Sequence, residues 1–200
     1  MPSPVLFVDS CTMSDLKLFM VLVGCRPKGR YTEQHDIFFG IGRKLADLVP
    51  HIQAFWPEAK GKFHIDAWRE VSQVGGFSVQ IVEAGDAVEN SHHLFFLNLG
   101  GYRPGEFEEL HHKMLVVAPD SAKAVAAAKQ TQFYKAAGFK GAASHIDDKY
   151  AIDVDEIYAV SDMLSSDFAA FAIAIREQNG PEDEQHIGYL KLSRLLEKGD

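Results

Sequence analysis

Leu18-Phe-Met-Val-Leu-Val-Gly24 and Leu94-Phe-Phe-Leu-Asn-Leu-Gly100 are one kind of segment written twice. Laid on each other without a gap, they extend through Ile41 and Val117. Leu18/Leu94, Phe19/Phe95, Gly24/Gly100, Gly29/Gly105, Glu33/Glu109 and His35/His111 are identical. Between the identities physical type is kept, as in Tyr31 against Phe107, Val21 against Leu97 and Phe39 against Leu115. The pattern predicts an internal duplication.

Each copy reads as an apolar strand, a glycine-bearing loop, a second strand (Asp36 to Ile41; His112 to Val117) and a helix. Leu45, Leu48, Val49, Ile52, Phe55 and Trp56 give the first helix its buried stripe, with Pro50 expected to kink it or break its start. The second is expected from an Asp120/Ser121 cap through an alanine-rich body to Gly138. Another strand pair follows each helix: Phe63 to Val71 aligns with Ile152 to Val160, and Phe77 to Val82 with Phe171 to Ile175. His186-Ile-Gly-Tyr-Leu-Lys-Leu192 then repeats the opening strand, as His93 to Leu99 does, so each sheet is expected to be completed by the opening strand of the next unit. Residues 185–197 also permit a terminal amphipathic helix through Leu190, Leu192, Leu195 and Leu196.

The expected fold is therefore α+β: two tandem ββαββ repeats in a pseudo-twofold arrangement, with an opening-type strand repeated near the C-terminus. Residues 1–15 read as an N-terminal extension, 16–90 as the first repeat, and 91–200 as the second repeat plus the C-terminal strand or helix.

At 200 residues and 22.2 kDa, the chain can bury roughly 70% of its unfolded surface. A hydrophobic content of 46% with 24% charged residues is that of an ordinary globular protein. The net charge of −8 argues against nucleic acid or an anionic membrane as partner. Cys11 and Cys25 alone make neither a disulfide framework nor a four-thiolate metal site, and point to a reducing compartment. With no signal peptide pattern and no long apolar run, a cytoplasmic location is expected.

The segments LFMVLVGCRPKGRYTEQHDIFFGI, HIDAWREV, LFFLNLGGYRPGEFEELHHKMLVVA and SHIDDKYAIDVDEIYAV together resemble a bacterial family known as domain of unknown function 1543. It occurs as one or two copies per chain, and the resemblance runs from Leu16 onward. It implies no activity. It does imply glycine at the position of Cys25, as at Gly101, which argues against Cys25 as a nucleophile.

Candidate chemistry gathers in three places. Gly24-Cys-Arg-Pro-Lys-Gly-Arg30 sets Arg26, Lys28 and Arg30 among glycines, a design suited to an oxyanion. The second copy keeps only Arg103 of this charge, with Tyr102 beside it as a further binding candidate and Glu106 in place of Arg30. A solvated hairpin loop is the plainer reading. Glu33-x-His35 and Glu109-x-His111 are ionisable pairs kept in both copies; residues two apart on a strand share a face, so each pair could move a proton or ligate a metal. A pseudo-twofold would bring all four together, with His112 as a fifth, whereas the structural alternative has each pair merely orient its loop. Asp66 and Asp155 are equivalent and expected to cap a turn or point into a cleft, while the histidines of His64-x-Asp66 and His145-x-Asp147 fall at different places and read as coincidence. Trp68 reads as core or domain interface. Gly40-Ile-Gly42 lacks the third glycine of a dinucleotide loop.

Three functions compete. A binding or regulatory module would take a small anionic metabolite in a cleft between the repeats. An enzyme would use Glu33, His35, Glu109 and His111 for acid–base or metal chemistry in a pocket between the repeats. A structural protein would pair the edge strand Leu18 to Gly24 with another subunit. Whether the chain is an enzyme, any cofactor or metal, and self-association are left open by the residues alone.

Overall fold

The computed structural model describes residues 15–86, 91–102, 105–131 and 152–197. In the first unit, β1 (Lys17–Cys25) pairs antiparallel on one side with β2 (Gln34–Gly42) and on the other with β3 (His64–Val71). The β-branched and aromatic side chains of these segments suit a pleated surface covered on both faces. A 3-10 turn, Leu45–Leu48, leads into α1 (Val49–Phe55), with Pro50 in the first helical turn. Of the two expected effects of Pro50, the broken start is the one that occurs: the apolar stripe divides into the 3-10 turn and α1, and proline sits in the first turn of α1, where an N–H has no helical partner to lose. Leu45, Leu48, Val49 and Ile52 are buried, and the Phe55 ring lies 5.5 Å from that of Phe38.

The second unit repeats the pattern. Its sheet is β6 (His93–Tyr102) between β7 (Glu109–Ala118) and β8 (Ile152–Ala159). Asp120 caps α2 (Ser121–Ala128) by accepting from the Lys123 amide at 2.8 Å. The helix ends well short of the expected Gly138. The Gln130 and Thr131 amides turn back to Ala127 and Ala128, and the Thr131 hydroxyl also donates to the Ala128 carbonyl, closing the last turn. Gly138 and His145 lie outside the described residues.

A third sheet joins the units. β4 (Gln73–Val74) and β5 (Phe77–Glu83) pair with β9 (Phe171–Glu177) in the order β4-β5-β9. Phe77 faces Glu177 and Glu83 faces Phe171, so the phenylalanine opening each strand meets the glutamate closing the other. The pairing is symmetric about Gln80 and Ala174. The chain is thus an α+β fold with repeated ββ elements and pseudo-symmetric sheets.

Residues 186–191 form β10, and Leu192–Glu197 a short helix, so both expected forms occur in succession. β10 lies beside β3, giving the first sheet the order β10-β3-β1-β2. Two expectations are corrected here. The sheet completed by a later strand takes it from the C-terminus, since β6 is central in its own sheet. β1 is likewise central, so Leu18 to Gly24 presents no free edge.

Alternation along β6 shows how the units pack. Leu94 and Phe96 join the core of the first unit, whereas Phe95, Leu97 and Leu99 pack with Ala124 and Ala128 of α2. Phe39 and Phe96 meet across the boundary with ring centroids 5.9 Å apart. Each fully buried side chain of this size contributes about 1.5–3 kcal/mol. Among the described residues, no helix is long and apolar enough to cross a membrane.

Candidate functional site

The pairing of β1 with β3 skips one residue: Leu22 faces Ala67 and Val23 faces Ile65, leaving Asp66 as a β-bulge. In β6 and β8 the same skip falls at Asp155, between Asn98/Glu156 and Leu99/Val154. A bulge redirects one side chain and sharpens the local twist. Beside each bulge lies a glycine. Gly24 is flanked in register by His35 on β2 and His64 on β3; Gly100 is flanked by His111 on β7 and Asp153 on β8. A Cβ on Gly24 would collide with the His64 ring and the Asp66 carboxylate, and one on Gly100 with the Asp155 carboxylate. The duplicated glycines therefore make room for a polar cluster, a requirement of close approach and not of backbone conformation.

In the first cluster, Asp66 Oδ2 lies 3.2 Å from His35 Nε2 and 3.2 Å from His64 Nε2. Glu33 lies 3.4 Å from His64 Nε2 and 3.9 Å from His35 Nε2. In the second, His111 Nε2 is 3.5 Å from Asp155 and 3.8 Å from Glu109. Each Glu-x-His pair thus meets the aspartate that the duplication also kept. Among the described residues, Glu33/His35/His64 and Glu109/His111/Asp155 are the groups whose ligand atoms converge closely enough to hold a metal ion. They form two clusters, not the single four-residue site expected, although His35 and His111 line one cavity of about 340 Å³ together with Asn98, Lys113 and Glu156.

His64 is the residue that sequence reasoning missed. It is 5% exposed, and the Tyr189 ring of β10 stacks on it at 4.6 Å. Its apparent coincidence came from comparing His64 with His145, whereas its register equivalent is Asp153. The signal available was Gly24, whose duplication marked a place where a side chain comes close.

A second cavity at the unit boundary, also about 340 Å³, is lined by Met20, Leu22, Trp68 and Met114 together with Arg69, His112 and Lys113. Trp68 stacks on His186 at 3.9 Å, so it serves as interface and wall. Burial chiefly lowers the pKa of Arg69, against the raising effect of Asp183 and Glu182. His112 is held below the ordinary imidazole value by desolvation and then by Lys113.

The remaining candidates lie apart. Arg26, Lys28 and Arg30 are exposed on the β1–β2 loop, and Arg103 lies outside the described residues. Tyr102 is exposed and hydrogen-bonded to Glu109, which raises its pKa. Cys25 is 1% exposed, and burial followed by the Glu33 charge pushes its thiol upward, so it is a poor nucleophile.

Among solved structures, the chain is similar to the crystal structure of a protein Il1583 from Idiomarina loihiensis. That match has a TM-score of 0.62 at 22% identity, and covers 89% of this chain and 99% of the other. It is a likeness of fold. No curated protein matches. Residues 30–81 match a family of undefined role, over a stretch containing Glu33, His35, His64 and Asp66 but not the second cluster. The family whose model matches residues 30–81 is described as Domain of Unknown Function, DUF1543.

Proposed function

We propose that this protein is a binding or regulatory module for a small anionic molecule with an apolar body, held in the cleft between its two units. One observation carries the reading. In a chain of net charge −8, the titratable side chains lining the Trp68 cavity among the described residues, namely Arg69, His112 and Lys113, are all basic, and they stand among the apolar Met20, Leu22, Trp68 and Met114. A partly desolvated guanidinium such as Arg69 gains from an arriving anion. Arg26, Lys28 and Arg30, on the loop leading into Glu33, would add long-range attraction.

The test is thermal unfolding of the full chain with an alkyl carboxylate and with the alcohol of equal length. The carboxylate is expected to raise Tm with concentration and the alcohol to have no comparable effect. Lys113→Glu is expected to abolish the shift. A chain indifferent to alkyl carboxylates and phosphates, or a shift surviving that reversal of charge, overturns the reading.

A second reading is favoured by the duplicated clusters beside the neighbouring cavity: an enzyme using Glu33, His35, Glu109 and His111 as acid–base groups on a molecule bound there. Both readings treat the chain as two ββαββ units on a pseudo-twofold, with His186–Lys191 as a repeated opening strand. Cytoplasmic residence, supported by a buried free Cys25, and self-association through sheet edges other than β1 belong to the same proposal.

A further inference from the structure

We infer that the first unit holds one divalent transition-metal ion of the zinc class on His35, His64, Glu33 and Asp66, and that the second holds a weaker copy on His111, Glu109 and Asp155. This site is distinct from the Trp68 cavity and does not depend on the anion reading.

The argument starts from His64. Its Nε2 is fully buried and makes no hydrogen bond, and the same is true of Asp66 Oδ2, the atom facing it. An unsatisfied buried polar atom is costly, and two of them aimed at one point call for a common partner. Imidazole nitrogen and carboxylate oxygen can both donate lone pairs to a cation, so a single ion satisfies both.

Spacing gives the second step. Four ligands at zinc bond lengths on a tetrahedron stand about 3.3–3.4 Å from one another. The two His–Asp66 separations, both to Asp66 Oδ2, are 3.2 Å, and Glu33 Oε1 stands 3.4 Å from His64. The other oxygen of this exposed carboxylate, Oε2, stands 3.9 Å from His35, so Glu33 presents both oxygens to the pair of histidines. Two neutral imidazoles and two carboxylates balance a doubly charged ion, and the mixed nitrogen and oxygen set selects zinc-class ions over calcium or magnesium.

Surroundings give the third. Gly24 leaves the space between the two histidines, the bulge aims Asp66 into it, and Tyr189 fixes the plane of the His64 ring. The second cluster has the same glycine and bulge but one imidazole, a longer His–Asp separation of 3.5 Å, and exposed ligands throughout. Its occupancy should therefore be weaker.

The experiment titrates the chelator-stripped full chain with Zn²⁺ against a chromophoric competitor, and separately with Co²⁺, whose visible absorption reports four-coordination. One tight site per chain is expected, with an intense four-coordinate cobalt spectrum, and a second site at least about tenfold weaker. His35→Ala and Glu33→Gln alter exposed side chains and should keep the fold, verified by circular dichroism. They should weaken the tight site by about 10–100-fold or more. His111→Ala should remove only the weak site. His64→Leu should abolish tight binding if it folds; if it does not, the two exposed variants decide. Absence of Zn²⁺ and Co²⁺ binding, or tight binding unchanged in both exposed variants, overturns the inference. Metal titration and the carboxylate-dependent shift in Tm are separate readouts on the same wild-type chain, so the metal site and the anion cavity fail independently.

Discussion

At the scale of single residues, the duplicated glycines were legible as duplications, but their purpose was not. Gly24 and Gly100 have ordinary backbone angles; what they supply is the volume taken by Asp66, Asp155 and His64. A sequence shows that a glycine is kept, whereas the neighbour requiring it stands on another strand. Cys25 yields a prediction at this scale. Burial first, and the Glu33 charge second, raise its pKa in the folded chain. The native state therefore holds the thiol proton more tightly than the unfolded state. This stability is fully present below the unfolded thiol's titration, at about pH 8.5, and is lost as pH rises through the folded value. Thermal midpoints measured from pH 7 upward should fall more steeply in the wild type than in Cys25→Ala. Parallel curves would show that the thiol stays as it is in the unfolded chain. A thiol reagent should modify Cys25 only after unfolding.

Among elements, strands were easier to read than their partners. The spans of β1, β5 and β9 follow from apolar patterning, because burial on a pleated surface leaves a local pattern, and that of β3 from its alignment with Ile152 to Val160. The bulges, the join of β10 to β3 and the stop of α2 do not, because each depends on a distant or competing hydrogen bond. The turn between β3 and β4 is one such case. Asp183, far along the chain, accepts from the Ser72 amide at 3.0 Å, the Gln73 amide at 3.1 Å and the Ser72 hydroxyl at 2.6 Å. No periodicity announces an acid that caps another element's turn. Asp183→Ala should cost about 1–3 kcal/mol, toward the lower end because the site meets solvent. Asp183→Asn, which keeps an acceptor oxygen without the charge, should fall between that variant and the wild type. Urea unfolding midpoints at constant slope measure both. Equal stability of all three proteins would mean that water replaces the carboxylate without loss.

For the whole molecule, duplication was visible in the sequence but interdependence of the copies was not. A tandem repeat suggests two units that fold side by side. Here β9 of the second half pairs along the full length of β5, β10 closes the first sheet against β3, and Phe96, Leu115, Val160, Phe168 and Leu192 belong to the first core. Separating the halves exposes the edges of β3 and β5 together with that apolar surface, and unpaired edges invite aggregation. Fragments 1–90 and 91–200, expressed apart, should therefore each lack a cooperative thermal transition and native near-ultraviolet circular dichroism. Mixed or co-expressed, they should form a one-to-one complex with a single transition, because one core draws on both. Cooperative unfolding of fragment 1–90 alone would show that the exchanged strands decorate a first unit already complete. The clusters sharpen the comparison: Glu33, His35, His64 and Asp66 all lie in the first fragment, yet Tyr189, which stacks on His64, arrives from the second. Loss of structure around His64 in the isolated fragment, and its return on complementation, would tie the site to the joining of the two halves.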